Sequence, residues 1–164
     1  MPDPLFHLCT ALLPKAITGG RHVGPFAVGV MLPDLGSRVP SMGLERLLIA
    51  GLPVPDFAMQ MWSVFHLPLG ALSACLFLGF WFPMEQRRPV VGWLCAGVAL
   101  HFAADILQFH HEAGYALGFP LSRWRFELGW IGSEATVPWA PAFAALTAVS
   151  WGARWFYNRR AAAT

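Results

Sequence analysis

Residues 100–112, LHFAADILQFHHE, set a histidine, an aspartate and two more histidines in an otherwise apolar stretch. His101 and Asp105 are four residues apart, so on a helix they stand one turn above each other on one face, which Gln108 and Glu112 continue. A neutral imidazole and a carboxylate at that spacing are natural ligands for a divalent metal ion. The residues just before, 90–100, are apolar enough to lie in a bilayer, where ionisable groups are expensive and point to function by default. An isolated HxxxD pair also reads as a buried histidine hydrogen-bonded to an acid. His110 and His111 close behind favour the metal reading. On one continuous helix, at ~100° per residue, His111 lies roughly 80° off the His101 face and His110 lies opposite. A break near Phe109 would turn His111 inward; without one, Glu112 is the better-placed ligand.

Three further residues offer the same chemistry: His7 one turn into the first helix, Asp34 in MLPDLGSR, and His66 in SVFHLPLG. Taken singly, each has a plainer role, as a structural histidine, a turn-forming or N-capping aspartate, and an interfacial or capping histidine. Arg38, Arg123 and Arg125 suit bidentate phosphate contacts or simple interfacial solvation. No GxSxG elbow, Walker loop or GxGxxG turn is present, and Cys9, Ser37 and Ser41 have no evident partner base. Cys9, Cys75 and Cys95 are odd in number and widely spaced, which suits packing better than a zinc knuckle or disulfide framework.

The elements that must position these residues are helical and greasy. Of 164 residues, 56% are hydrophobic and 12% charged, with mean hydropathy +0.51, whereas soluble domains carry about 25% charged residues. Eight Trp and thirteen Phe fit interfacial belts. A net charge of +2 and the lack of a basic run with interleaved aromatics argue against nucleic acid binding. The N-terminus lacks the basic region of a signal peptide, so the expectation is that the protein's own helices insert it. A first helix is expected over 4–17, with Asp3 capping and Pro4 at its first position, ended by Gly19 and Gly20. A second, short one over 23–33 delivers Asp34 to a loop, GSRVPSMG. Residues 44–50 form a short amphipathic helix, and 59–65 lead to His66. Residues 67–83, 90–109 and 136–157 are the spanning candidates, with MEQRRP as a polar turn. The first two helices are short for spans and suit a half-embedded hairpin. The chain reads as one domain, 1–164, without internal repeats.

Alternating the ends of these elements between two sides gives a consistency test. One side collects Lys15, Arg21, Arg87, Arg88, Arg154, Arg159 and Arg160 with Glu85 as the one acid; the other collects four arginines and eight acids. The basic side is expected to be cytoplasmic. His7, Asp34, His66, His101, Asp105, His110 and His111 then all fall at the opposite, exoplasmic face, although none of them was used to set the alternation.

The order of these features resembles a known group. An early helical histidine (His7), LPD after an apolar helix (Asp34), a histidine opening a span (His66) and an HxxxD helix (His101, Asp105) resemble the predicted membrane-bound metal-dependent hydrolases, which include a LexA-regulated inner-membrane hydrolase. The segment GFPLSRWRFELGWIG is similar to that group's stretch after the HxxxD helix, so the resemblance covers about residues 5–135. More distantly, His101, Asp105, Gln108 and His111 match the HxxxDxxQxxH helix of zinc-dependent phospholipase C and its nuclease relatives. The chain departs from the membrane group in having LPDLG where LPDID is usual, and VFH where HRGxTHS is common. Glu134 is the one acid near the last span.

The resemblance implies a bacterial inner-membrane protein with its site on the periplasmic side. His7, Asp34, His66, His101, Asp105 and His111 become candidate ligands of one to three divalent ions, zinc foremost. Asp34 and Asp105 are also candidates to orient a catalytic water, and Arg38 and Arg125 to bind substrate. The expected fold is all-α, with about four membrane-embedded helices and a short amphipathic one. The expected activity is metal-dependent hydrolysis of a phosphoester or ester, in a lipid or small molecule, at the membrane surface. The alternative is a non-catalytic membrane structural or partner-binding protein with a degenerate metal site.

Overall fold

Proline sets the start of two helices, because its fixed φ suits the first helical position and its missing N–H is not needed there. They are α1 (Pro4–Thr18) and α4 (Pro68–Gly79). The computed structural model describes residues 4–20, 22–109, 114–132 and 134–162. Between those two helices lie α2 (Val23–Ile49), α3 (Asp56–Ser63) and a 3-10 turn (Val64–His66). After them come α5 (Met84–Ile106), the two-residue strands β1 (Gln108–Phe109) and β2 (Ile131–Gly132), a second 3-10 turn (Val137–Trp139) and α6 (Ala140–Ala161). The described chain is mostly helical. The strands pair in parallel, Gln108 opposite Ile131 and Phe109 opposite Gly132.

The helices α2 and α5 form the central pair. Their backbones nearly touch at two glycines. A Cβ at Gly29 would run into the Leu94 carbonyl, and one at Gly97 would run into the Phe26 carbonyl. Small residues permit this close approach. It matters to the site because Gly29 lies five residues before Asp34 and Gly97 four before His101. α4 packs on α5 through Ala71, Cys75, Val90, Leu94, Val98 and Phe102. α6 packs on α1 by an edge-on Phe6–Phe143 contact (4.9 Å between centroids), a Trp151 indole donating to the Leu12 carbonyl (3.2 Å) and Arg154 donating to the Ala16 carbonyl (2.9 Å). At that end Lys15 is buried with its ammonium 3.3 Å from the centre of a Trp93 ring, on which His22 also stacks.

Three boundaries differ from expectation. Residues 23–49 are one helix, not two helices and a loop, so Asp34 sits inside α2. Pro33, Gly36, Pro40 and Gly43 read as breakers, but packing along α5 outweighs that local preference, as neighbouring helices often allow in apolar surroundings. Ser37 and Ser41 turn their hydroxyls onto the Pro33 and Ser37 carbonyls, at 2.7 Å each. MEQRRP is not a turn but the start of α5, and the reversal lies at residues 80–83. α4 is 12 residues long and meets the preceding α3 arm at a 78° bend, so it is not a straight span. Among the described residues, Met84–Ile106 alone is both long and apolar enough to cross a membrane; the bent pair Asp56–His66 and Pro68–Gly79 passes only when both arms are taken together.

Candidate metal centre

The deepest point of the molecule is polar. His7, His101 and Asp105 are among the largest fully buried side chains, at 1%, 0% and 0% exposure. α1 brings His7, α2 brings Asp34, the 3-10 turn brings His66, and α5 brings His101 and Asp105 one helical turn apart. The Asp105 carboxylate is the hub. Its Oδ1 is 3.1 Å from His7 Nε2, and its Oδ2 is 3.0 Å from His66 Nε2 and 3.1 Å from His101 Nε2. Asp34 Oδ1 lies 3.8 Å from His66 Nδ1. The rings themselves cluster, with His7 and His101 centroids 4.4 Å apart and His66 and His101 5.2 Å apart.

The orientation of these groups is informative. Only the His66–Asp105 contact has hydrogen-bond geometry. Among the described residues His7 Nε2, both His101 nitrogens, His66 Nδ1, Asp34 Oδ2 and Asp105 Oδ1 are buried without a hydrogen bond, although His7 Nε2, His101 Nε2 and Asp105 Oδ1 keep ion-pair contacts of 3.1 Å. Asp34 Oδ2 and His101 Nδ1 have neither, and a buried polar atom left without a partner costs about 1–3 kcal/mol, so the arrangement suits a further binding partner. Donors that share an ion at ~2.0–2.2 Å lie about 3–4 Å from one another, and the histidine–aspartate contacts of 3.0–3.8 Å fall in that range. Among the described residues two groups qualify: His7, His101 and Asp105, and Asp34, His66 and His101, the ligand atoms of each lying within 4.8 Å of one another. These buried histidines and aspartates could hold a metal ion, and their nitrogen and oxygen donors suit a borderline divalent cation.

One flank opens to a cavity of about 1360 Å³ that Asp34 and His66 line, while His7, His101 and Asp105 lie behind it. Arg38 and Arg125 both line this cavity; Arg123 does not. Tyr115 lies at its rim, with the hydroxyl 3.3 Å from His66 Nε2. Burial, the Asp105 carboxylate and then Asp34 push the Tyr115 phenol well above its ordinary pKa, with the Arg38 cation acting the other way.

The sequence-derived candidates thus divide clearly. His7, Asp34, His66, His101 and Asp105 come together. His111, like His110 and Glu112, lies outside the described residues. Before them, α5 ends at Ile106 and the chain is extended at Gln108–Phe109. His22 sits away from the cluster, against Trp93. The sequence reading missed Tyr115. Its one signal was the rarity of tyrosine, of which the chain has two. Gln108, expected on the His101 face and matched to the glutamine of the HxxxDxxQxxH pattern, is buried, with Oε1 lacking a hydrogen-bond partner among the described residues. Searches against family models, curated proteins and solved structures found no match to this chain.

Proposed function

We propose that the protein is a membrane-embedded, metal-dependent hydrolase whose centre is built from His7, Asp34, His66, His101 and Asp105, with zinc as the metal. The observation that carries this reading is the convergence of buried imidazole and carboxylate atoms from four separate elements on one point, 3.0–3.8 Å apart where they meet, with Asp34 Oδ2 and His101 Nδ1 left without a partner among the described residues. When bound, a divalent ion supplies Lewis-acid polarisation and an acidified water. The chain's own residues do the rest. Asp105 fixes His7, His66 and His101 around itself. Asp34, which lines the cavity, accepts a proton from the entering nucleophile. Arg38 and Arg125 hold an anionic substrate in the cavity by forked hydrogen bonds, and Tyr115 donates to it. A phosphoester fits this set of donors best.

The membrane assignment rests on α5 and on the exposure of large apolar residues over several helices, such as Leu76, Phe77 and Phe80 on and just after α4 and Val149 on α6. About four embedded helices, an inner-membrane location and a periplasmic site belong to the same proposal. The missing second acid after LPD favours one other reading, a metal-stabilised protein without turnover. The two separate in one assay on detergent-purified, zinc-loaded protein. Hydrolysis of bis(p-nitrophenyl) phosphate that disappears in Asp34→Asn and Asp105→Ala supports the enzyme. Stoichiometric zinc with no hydrolysis of phosphodiester, phosphomonoester or carboxylic ester probes supports the non-catalytic reading.

A further inference from the structure

A second cavity, of about 500 Å³, lies at the elbow between the 3-10 turn and α4. Val64, Leu67 and Phe119 wall both this groove and the cavity at the candidate metal centre. The remaining walls include Gly70, Ala74 and Phe77, and Ser73 is the one polar side chain among its lining residues. The 78° bend that creates the elbow falls at Leu67, directly after His66. Gly70 is required at this elbow, since a Cβ there would collide with the Val64 carbonyl. From the groove the outward face of α4 continues apolar and exposed through Leu69, Leu72 and Leu76.

Polar and apolar compartments with a shared wall fit one amphiphilic molecule. On one side stand the imidazole–carboxylate cluster, Arg38 and Arg125, which favour an anionic head. On the other stands a slot without charge that leads onto lipid-facing surface. We propose that this groove receives the hydrocarbon chain of a lipid whose phosphoester head group occupies the adjoining cavity against Asp34, His66, Arg38 and Arg125. The chain enters sideways along α4, so the substrate need not leave the bilayer completely. This inference rests on the hydrolase reading of the same site and specifies its substrate class.

The test uses the full chain held in amphipol without free detergent, with cobalt(II) loaded in place of zinc. Binding of inorganic phosphate, ethyl, butyl and hexyl phosphate is followed by the visible spectrum of the cobalt. The expected result is a spectral response to all four and an affinity that rises by up to about fourfold per added methylene. Ser73→Trp, at an exposed groove position, should bind inorganic phosphate as the unaltered protein does, which also reports that it is folded, and lose the chain-length dependence. Ser73→Ala should retain it. A response to inorganic phosphate with no gain along the series overturns the chain groove and leaves the hydrolase reading standing. The same gain in Ser73→Trp overturns it too, because the chain then binds elsewhere. No response to any of the four overturns the head-group reading and this proposal with it.

Discussion

At the scale of single residues, Asp105 bears most of the architecture, since three histidines from three elements lie within 3.1 Å of its two oxygens. Asp105→Asn keeps the shape and removes the charge. It is expected to weaken metal binding at least 100-fold, and equilibrium dialysis against zinc with a competing chelator would measure it. Tyr115→Phe removes only a hydroxyl beside His66. As an outer partner it should cost about 10–100-fold in metal affinity or turnover while leaving the helical circular dichroism unchanged. Acidification should release the metal, because imidazole must be neutral to ligate. Bound-metal content followed by dialysis at falling pH should therefore drop, and content that stays constant on acidification of a folded protein would count against histidine ligation. His101 and Asp105 were legible in the sequence because both lie on one helix, where spacing alone sets their relation. Tyr115 was not, because it reaches the site through a loop, and no periodicity places a loop side chain.

At the scale of elements, the α2–α5 crossing sets where Asp34 stands relative to His101. Gly97→Leu would drive a side chain into the α2 backbone near Phe26. The expected cost is at least the ~1–3 kcal/mol of ordinary overpacking, accompanied by loss of metal affinity as Asp34 moves away. Gly92 is the control on the same helix, with open space where its Cβ would be. Gly92→Ala should stabilise by up to about 1 kcal/mol and leave metal binding intact. Thermal melts of both variants, with and without zinc, check the pair. The helical class and α1 could be read from apolar pattern and caps. The continuity of α2 could not: its prolines and glycines are local breakers, and what overrides them is contact with α5, some 65 residues later in the chain. The bend at Leu67 was hidden for the converse reason. An uninterrupted apolar run over 67–83 satisfies a span by composition, while the sharp turn beside His66 depends on Gly70 admitting the Val64 carbonyl.

At the scale of the whole molecule, a polar cluster occupies the place where a hydrophobic core would normally be deepest, and much apolar surface faces outward. Burying three imidazoles and two carboxylates is a liability for an empty protein. An ion that binds only the folded chain turns it into an asset, worth about 2.7 kcal/mol when its concentration is 100 times its dissociation constant. Apolar surface of this extent predicts that the chain stays with the membrane pellet after carbonate extraction; release into the supernatant would contradict the embedded reading. Alternating the element ends puts His7, Asp34, His66, His101 and Asp105 at one face, but with a loop after Pro33 where α2 in fact continues, so their convergence depends on packing between distant helices that local pattern does not carry. The most direct test of the account is elemental analysis of the full chain purified without chelator and re-equilibrated with zinc, paired with X-ray absorption at the metal edge. At least one tightly held ion per chain is expected, with nitrogen and oxygen ligands at ~2.0–2.2 Å, lost in His101→Ala and in Asp105→Ala. A folded protein that takes up no metal, or one whose metal persists in both variants, would contradict this expectation.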